Sequence, residues 1–502
     1  MRSWLKQHRS NADSRGNPFA RDTQPRKLRV LLHLSDDARS SLAGEMVAGL
    51  DGCGVLDVWS TRPDAARRVC VRWTDQQAGK GSVFTLEAAE SGADCGDAVL
   101  DEFYGPGLPQ GRRVRSETFL HDFVARERTT WLGWMPDLAE GPLDELDEWL
   151  ALHWFASTEG IDLVATDSSF ILSLRPRGFG RGVVSLPEAA ACVGLYRRSR
   201  GDFAYRSDRG RFTATAGRSG FYQGVARELM PNCRRLLERV PRRKGLADDG
   251  PALLLKNLLA RVARALQARD QVHWALLGDD GFWGMWSDDR YEGLDEALSG
   301  VDGVLFSLAG AFDVAARLAN EAYGLGITGA AISWRRYRGD GFGLRLLARA
   351  PEVAALLASW RGAGEVLDVI AELRNTVHYT SLEPVHVRNQ DDRDEQLMFA
   401  VPKASGRRVR DILERLDGVV EFGGLFLLPD GILVLEPQTF VERILPLAVV
   451  RLDELVGSLD ATAIEQQPTQ GALEPRARAD SWPEPDAAAH LRLLAGLEET
   501  SS

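Results

Sequence analysis

The period of the apolar residues changes once along this chain, close to residue 250, and that change divides it into two kinds of structure. Before it, apolar residues come in short runs: Leu28-Arg29-Val30-Leu31-Leu32-His33-Leu34, then Gly54 to Trp59, Ile161 to Ala165 and Val183 to Leu186. Runs this short, rich in Val and Leu, the first of them closed by Ser35-Asp36-Asp37, predict buried strands leading into helices. Leu146, Trp149, Leu150, His153 and Trp154 recur at three- and four-residue spacing and predict a helix over 143–157. Strands alternating with helices predict an α/β domain over 28–205. From Pro251 the pattern lengthens to helices over 252–272, 294–323, 351–378 with a break at Gly362 to Gly364, and 440–455. The second domain, 251–456, is therefore expected to be a mainly α-helical bundle. Val419 to Gly431, with turns at Gly423-Gly424 and Asp430-Gly431, predicts a small β insertion in it.

The remaining segments read as connections and tails. Residues 1–27 mix Arg, Asn, Ser, Asp and Pro without periodicity and predict a disordered arm. Residues 206–250 carry Arg234-Arg235 and Arg242-Arg243-Lys244 beside Pro231 and Pro241, the composition of a basic connector. Residues 457–502, with Pro468, Pro475, Pro483 and Pro485, predict a disordered tail holding a short helix over 487–497. Two domains plus tails suit 502 residues, 44% of them hydrophobic.

Charge and cysteine usage narrow the function classes. A net charge of −11 excludes a chain that coats nucleic acid through bulk electrostatics, so any RNA contact must be local. Cys53, Cys70, Cys95, Cys192 and Cys233 are odd in number and form no C-x-x-C pair, which predicts buried free thiols in a reducing compartment. No run is expected to match the roughly 18–20 apolar residues of a membrane helix, and the basic start lacks the apolar core of a signal peptide. These features together predict a cytoplasmic protein without membrane contact.

The segment Glu372-Leu373-Arg374-Asn375-Thr376-Val377-His378-Tyr379 carries the chemistry. On a helix, Arg374 and His378 stand four residues apart on one face, with Cβ atoms roughly 5–6 Å from each other. RNA cleavage by internal transfer needs a base for the 2′-hydroxyl, an acid for the leaving oxygen and a cation for the charge that builds on phosphorus. Histidine serves the first two needs and arginine the third, while Asn375 can hold phosphate or orient the ring; no metal is required. The bland alternative pairs Arg374 with Glu372 and leaves His378 as a cation at a helix C-terminus. Asp313, in a helix of small residues, is expected to pair with Arg317 at i+4 or with Arg374 on a neighbouring helix.

Arg374-Asn375-x-x-His378, closing an aliphatic helix within a helical region, resembles the signature of the HEPN family of helical nucleotide-binding and RNase domains. The resemblance covers residues 251–456. It implies a four- to five-helix bundle and a homodimer that brings two Arg/His sets into one cleft. It also implies metal-independent RNase activity of the toxin or antiphage-defence kind, or RNA or nucleotide binding without cleavage. The family leaves four to six residues between Arg and His, and this chain leaves three.

Carboxylates in the first half offer a different reading. Asp36 follows the first strand, Asp147 sits in the helix over 143–157 and Asp167 follows Leu163-Val164-Ala165-Thr166. Carboxylates at strand ends of an α/β sheet converge to hold Mg²⁺ or Mn²⁺ in two-metal nucleases, and their order here resembles the PIN-like nuclease pattern. The glycine-rich stretches around Gly180 and Gly341 lack the strand-loop-helix frame of a dinucleotide site. Trp274, Trp283, Met285 and Trp286 could stack bases, but aromatic residues at this density more often brace a helix-helix loop, which is the reading expected here.

Overall fold

The computed structural model describes residues 27–35, 38, 56–60, 67–74, 83–90, 126–130, 132, 145–146, 149–150, 152–153, 156, 161–174, 182–203, 205–207, 211–213, 217–240, 250–278, 289–334, 341–360, 365–388, 395–414, 422–460, 464, 492 and 494–497. These residues are mostly helical, with small sheets, and the chain divides into two compact units, one of 1–202 with 493–502 and one of 203–492. The arm up to residue 26 lies outside the described residues, as do Trp283, Met285 and Trp286.

In the first unit, strands β1 (Leu28–His33), β2 (Leu56–Ser60), β3 (Arg67–Thr74), β4 (Val83–Glu90), β5 (Leu163–Thr166) and β6 (Val183–Val184) form one sheet in the order β4-β3-β2-β1-β5-β6. All pairs are parallel except β3 with β4. The four short apolar runs coincide with β1, β2, β5 and β6; β3 and β4 are additional. Strands β1 and β5 are interior strands with a neighbour on each side, and Val30, Leu31, Leu163 and Ala165 are completely buried, which is why these strands read as continuous apolar runs. Their ends are tied by polar bonds: the Arg29 N–H donates to Asp162 Oδ2 at 2.9 Å, and the Asp162 N–H returns to the Arg29 carbonyl at 2.9 Å. Two helices follow β5, α1 (Ser169–Ser173) and, after β6, α2 (Leu186–Ser199). Ser185 and Glu188 close the N-terminus of α2 as a capping box, with the Ser185 N–H 2.9 Å from Glu188 Oε2.

The expected tail is in part built into this unit. Leu494 and Ala495 are buried, and the Arg198 guanidinium donates to the Leu494 carbonyl. A Cβ at position 194 would overlap that carbonyl, so Gly194 is required by the close approach of the returning chain.

The second unit starts with a short hairpin, β7 (Tyr205–Ser207) and β8 (Arg211–Thr213), followed by helices α3 (Gly217–Leu229) and α4 (Pro231–Arg239). The stretch read as a basic connector thus contributes two helices to the bundle. Helix α4 buries Cys233 and Leu236 and exposes Arg235 and Arg239; its arginines cover an amphipathic helix rather than a linker. Its first turn is capped by Asp453, which accepts from the N–H groups of Asn232 and Cys233 at 3.2 and 3.0 Å. Cys192 and Cys233 are buried and free, as expected; burial, reinforced by Asp453, pushes the Cys233 thiol upward.

The body of this unit is the hairpin of α5 (Pro251–Gly278) and α6 (Asp289–Ala322), packed by α3 and by α11 (Pro437–Gly457). Between α6 and α11 come α7 (Gly341–Arg349), α8 (Pro351–Ser359), α9 (Glu365–Tyr379) and α10 (Lys403–Glu414). They accompany an antiparallel sheet of β9 (Glu383–Arg388), β10 (Glu395–Ala400), β11 (Leu425–Leu427) and β12 (Leu433–Leu435) in the order β11-β12-β10-β9. The β insertion is thus larger than the sequence suggests. Against expectation, one stretch of α6, Gly293–Ala322, is long and apolar enough to cross a membrane by length and composition. Its apolarity has a local cause, because α6 packs against α5, α9 and α11 and has to be apolar on several sides.

Helices α5 and α6 approach closely at glycines. A Cβ at Gly300 would stand 2.6 Å from Val272 Cγ2 and 3.0 Å from the Ala268 carbonyl, and one at Gly303 would stand 3.0 Å from Ala268 Cβ. Gly300→Leu therefore overpacks the hairpin and should lower stability by about 1–3 kcal/mol, read as a reduced urea midpoint at unchanged slope. A wild-type midpoint would show that the two helices can separate without cost.

Candidate functional site

Helix α9 turns one apolar stripe inward: Val366, Val369, Ile370, Leu373 and Thr376 are buried. Arg374 falls on the flank of that stripe and is half-buried, and His378, one turn later, is exposed. The helix stops just beyond. Thr376 Oγ1 donates to the Glu372 carbonyl at 2.9 Å and Thr380 Oγ1 to the Thr376 carbonyl at 3.0 Å, each bonding back onto the preceding turn, and the Thr380 N–H also donates to the Thr376 carbonyl at 2.7 Å. His378 occupies that last turn, where the helix dipole favours a cation.

The two side chains share one floor. The Arg374 guanidinium carbon lies 5.6 Å from the ring centroid of Phe306 on α6, and the His378 ring meets the same ring edge-on, with centroids 6.2 Å apart at 80°. Arg374 Nη1 donates to Asn375 Oδ1 at 3.2 Å, leaving the Asn375 NH₂ group without a partner among the described residues. The three residues singled out by sequence are thus brought together on one exposed face.

The pairing of Arg374 with Glu372 does not occur. Glu372 accepts from Arg408 of α10 at 2.7 Å, and Asp313 is exposed on α6. Among the described residues no carboxylate lies within 4 Å of Arg374, so its charge is not neutralised in place. Helix α10, packed on α9, exposes Lys403 and Arg407 besides the paired Arg408. Asp302, one turn before Phe306, is half-buried, and burial raises its carboxyl to about 6, so this side of the face becomes less negative in mildly acidic solution.

The carboxylates of the first unit are held differently. Asp167 is exposed and accepts from the Ser35 N–H at 2.9 Å and from the Ser35 hydroxyl, joining the ends of β1 and β5. Asp36 and Asp147 lie outside the described residues. Among the described residues no three His, Cys, Asp or Glu side chains converge as metal ligands.

A second cluster escaped the sequence reading. Arg269, Asp270 and His273 of α5 are buried, and they link α3 to α11. Arg269 Nη2 donates to Asp270 Oδ1 at 2.9 Å, the Tyr222 hydroxyl donates to Asp270 Oδ2 at 2.8 Å, and His273 Nε2 lies 2.6 Å from Glu442 Oε1. Burial pushes Glu442 upward, yet Arg269 and His273 override it and hold the carboxyl at about 2. Burial likewise works against the Arg269 charge, which Asp270 and Glu442 stabilise and hold above its ordinary range. With Glu442 ionised, His273 donates Nε2–H to it. The sequence does carry a signal: Arg269 and His273 fall on the inward stripe of α5 with Val262, Leu266 and Leu276.

Arg269, Asp270 and His273 are buried and Glu442 is part-buried, and the bonds among them tie α3, α5 and α11 together as a structural joint. Glu442→Ala leaves Arg269 paired with Asp270 but takes away the hydrogen-bond acceptor of buried His273, and should cost about 1–3 kcal/mol by urea unfolding. The pH dependence has a definite sign. The folded carboxyl sits at about 2, below its ordinary value of 4.5, so its stabilisation is complete above 4.5 and is lost as pH falls from 4.5 towards 2. Glu442→Gln should flatten the acid limb of the stability curve in that window; an unchanged limb would show that other carboxylates set it. No family model matches the chain, and no curated protein or solved structure shows significant similarity to it.

Proposed function

We propose that the chain is a cytoplasmic, metal-independent endoribonuclease of the toxin or antiphage-defence kind, built as an N-terminal α/β module joined to a HEPN-like helical module. One observation carries this reading: Arg374 has no carboxylate partner among the described residues and stands beside the exposed His378 on a common Phe306 floor. An arginine left uncompensated on a protein with a net charge of −11 is a local anion site, and its planar fork suits a phosphodiester.

The roles follow from what each group can supply. His378 takes the proton from the 2′-hydroxyl, whose oxygen then attacks the adjacent phosphorus. Arg374 offsets the charge that accumulates on the non-bridging oxygens, and the free Asn375 amide donates to one of them. The 5′-oxygen departs and needs a proton, leaving a 2′,3′-cyclic phosphate and a 5′-hydroxyl. One imidazole cannot take and give a proton in the same step, so the reaction calls for a second His378. The homodimer implied by the HEPN resemblance supplies one.

The test is cleavage of a mixed pool of structured and single-stranded RNA in EDTA. Wild-type protein should cut, and Arg374→Ala/His378→Ala should lose at least 10²-fold, the usual range for removing acid-base and electrostatic groups. RNA binding without cutting in wild type would replace the nuclease by a nucleotide-binding, dimerising module. Cutting that requires added Mg²⁺ or Mn²⁺ and disappears with Asp167→Asn would move the activity to the first unit.

A further inference from the structure

We infer that Tyr379 is the platform on which an unpaired base of the RNA stacks, and that the substrate of this face is single-stranded RNA. The inference rests on the reading of Arg374 and His378 as a phosphodiester site. Tyr379 is the last residue of α9 and is 80% exposed, the most exposed of the described large hydrophobic side chains. It stabilises little by packing: its ring meets that of His378, with centroids 4.7 Å apart at 69°, and no other partner exists among the described residues. A large aromatic ring held in water at a helix end gains nothing from folding, and its face is available to a flat apolar group.

The surroundings define that group. The ring follows directly on His378 and lies one turn and a residue beyond Arg374, so a phosphate at the guanidinium leaves its own or the neighbouring base beside Tyr379. Cationic contacts for the backbone and an aromatic face for a base are the two parts of a single-strand site. In an A-form duplex the bases are stacked on one another, and no face remains for the tyrosine. Stacking also fits the chemistry, because a nucleotide freed from the helix can rotate its 2′-oxygen into line with the departing 5′-oxygen.

The experiment measures fluorescence anisotropy of the full chain with a short labelled 2′-O-methyl RNA, which binds but cannot undergo internal transfer. It compares single strand with duplex, in EDTA, for wild type, Tyr379→Ala, Tyr379→Phe and Arg374→Ala. Tyr379→Ala should weaken single-strand binding roughly 5- to 100-fold, the range for loss of one base-aromatic stack. Tyr379→Phe should keep it, duplex should bind wild type more weakly than single strand, and competition by inorganic polyphosphate should be equal for wild type and Tyr379→Ala. Because the ring is exposed, the thermal midpoint of Tyr379→Ala should match that of wild type, so a loss of binding is not a loss of fold. Wild-type affinity in Tyr379→Ala, or equal affinity for duplex and single strand, would overturn the inference while leaving an Arg374-dependent phosphate site intact. No binding of RNA or polyphosphate by wild type would overturn both.

Discussion

Everything in the second unit that bears on function hangs on how closely α5 and α6 can approach. Gly300 and Gly303 bring the α6 backbone within side-chain distance of Ala268 and Val272, and Gly310 lies against the guanidinium of Arg261. A helix fixed so tightly along one side has little freedom to rotate about its axis. Its neighbouring face is therefore determined, and on that face stands Phe306, the floor shared by Arg374 and His378. The same hairpin carries Arg269, Asp270 and His273 to α3 and α11. Site and joint are thus two consequences of one helix pair, and damage to the glycine contact would reach both.

The two arginine clusters differ in a way that separates structure from function. Arg269 is desolvated and held by Asp270 and Glu442, so its charge is spent on fixing helices in place. Arg374 remains half-exposed with an aromatic ring and an amide as its partners. Removing a charge from water is costly, so the buried Arg269 needs its carboxylates, whereas the half-exposed Arg374 keeps part of its hydration without one. Glu372 sits two residues away and is instead committed to Arg408. That arrangement keeps the arginine available to an anion from solution.

Much of this was legible in the sequence, and the misses have physical causes. The runs that became β1, β2, β5 and β6, and the long helices α5, α6 and α11, declare themselves because each shows a clear apolar run or stripe. β3 and β4 did not, since Arg67-Arg68-Val69-Cys70-Val71-Arg72-Trp73-Thr74 spreads three arginines through its length and reads as surface. Helix α4 was hidden by its arginines, and α10 by an inward face that begins with Ser405 and Gly406 before Val409 and Ile412. For the site, the spacing of Arg374 and His378 correctly placed both on one face. Their common contact could not be read, because Phe306 is sixty-eight positions before Arg374 and its helix looks uniformly apolar. The joint of Arg269, His273 and Glu442 is hard to read for the opposite reason: charged residues on an apolar stripe look like breaks in it, although here they carry the signal.

On the proposed reading, an acidic protein that binds RNA has to solve a problem of range. With a net charge of −11, long-range attraction is unfavourable, and at physiological ionic strength fields fade over roughly 8 Å. On that reading, affinity comes from contacts made after arrival, at one uncompensated arginine and a stacking ring. Such a site draws relatively little from counterion release and relatively much from stacking, so its affinity should depend only weakly on salt. It also selects for strands that can splay a base towards Tyr379, which a uniformly basic surface would not do.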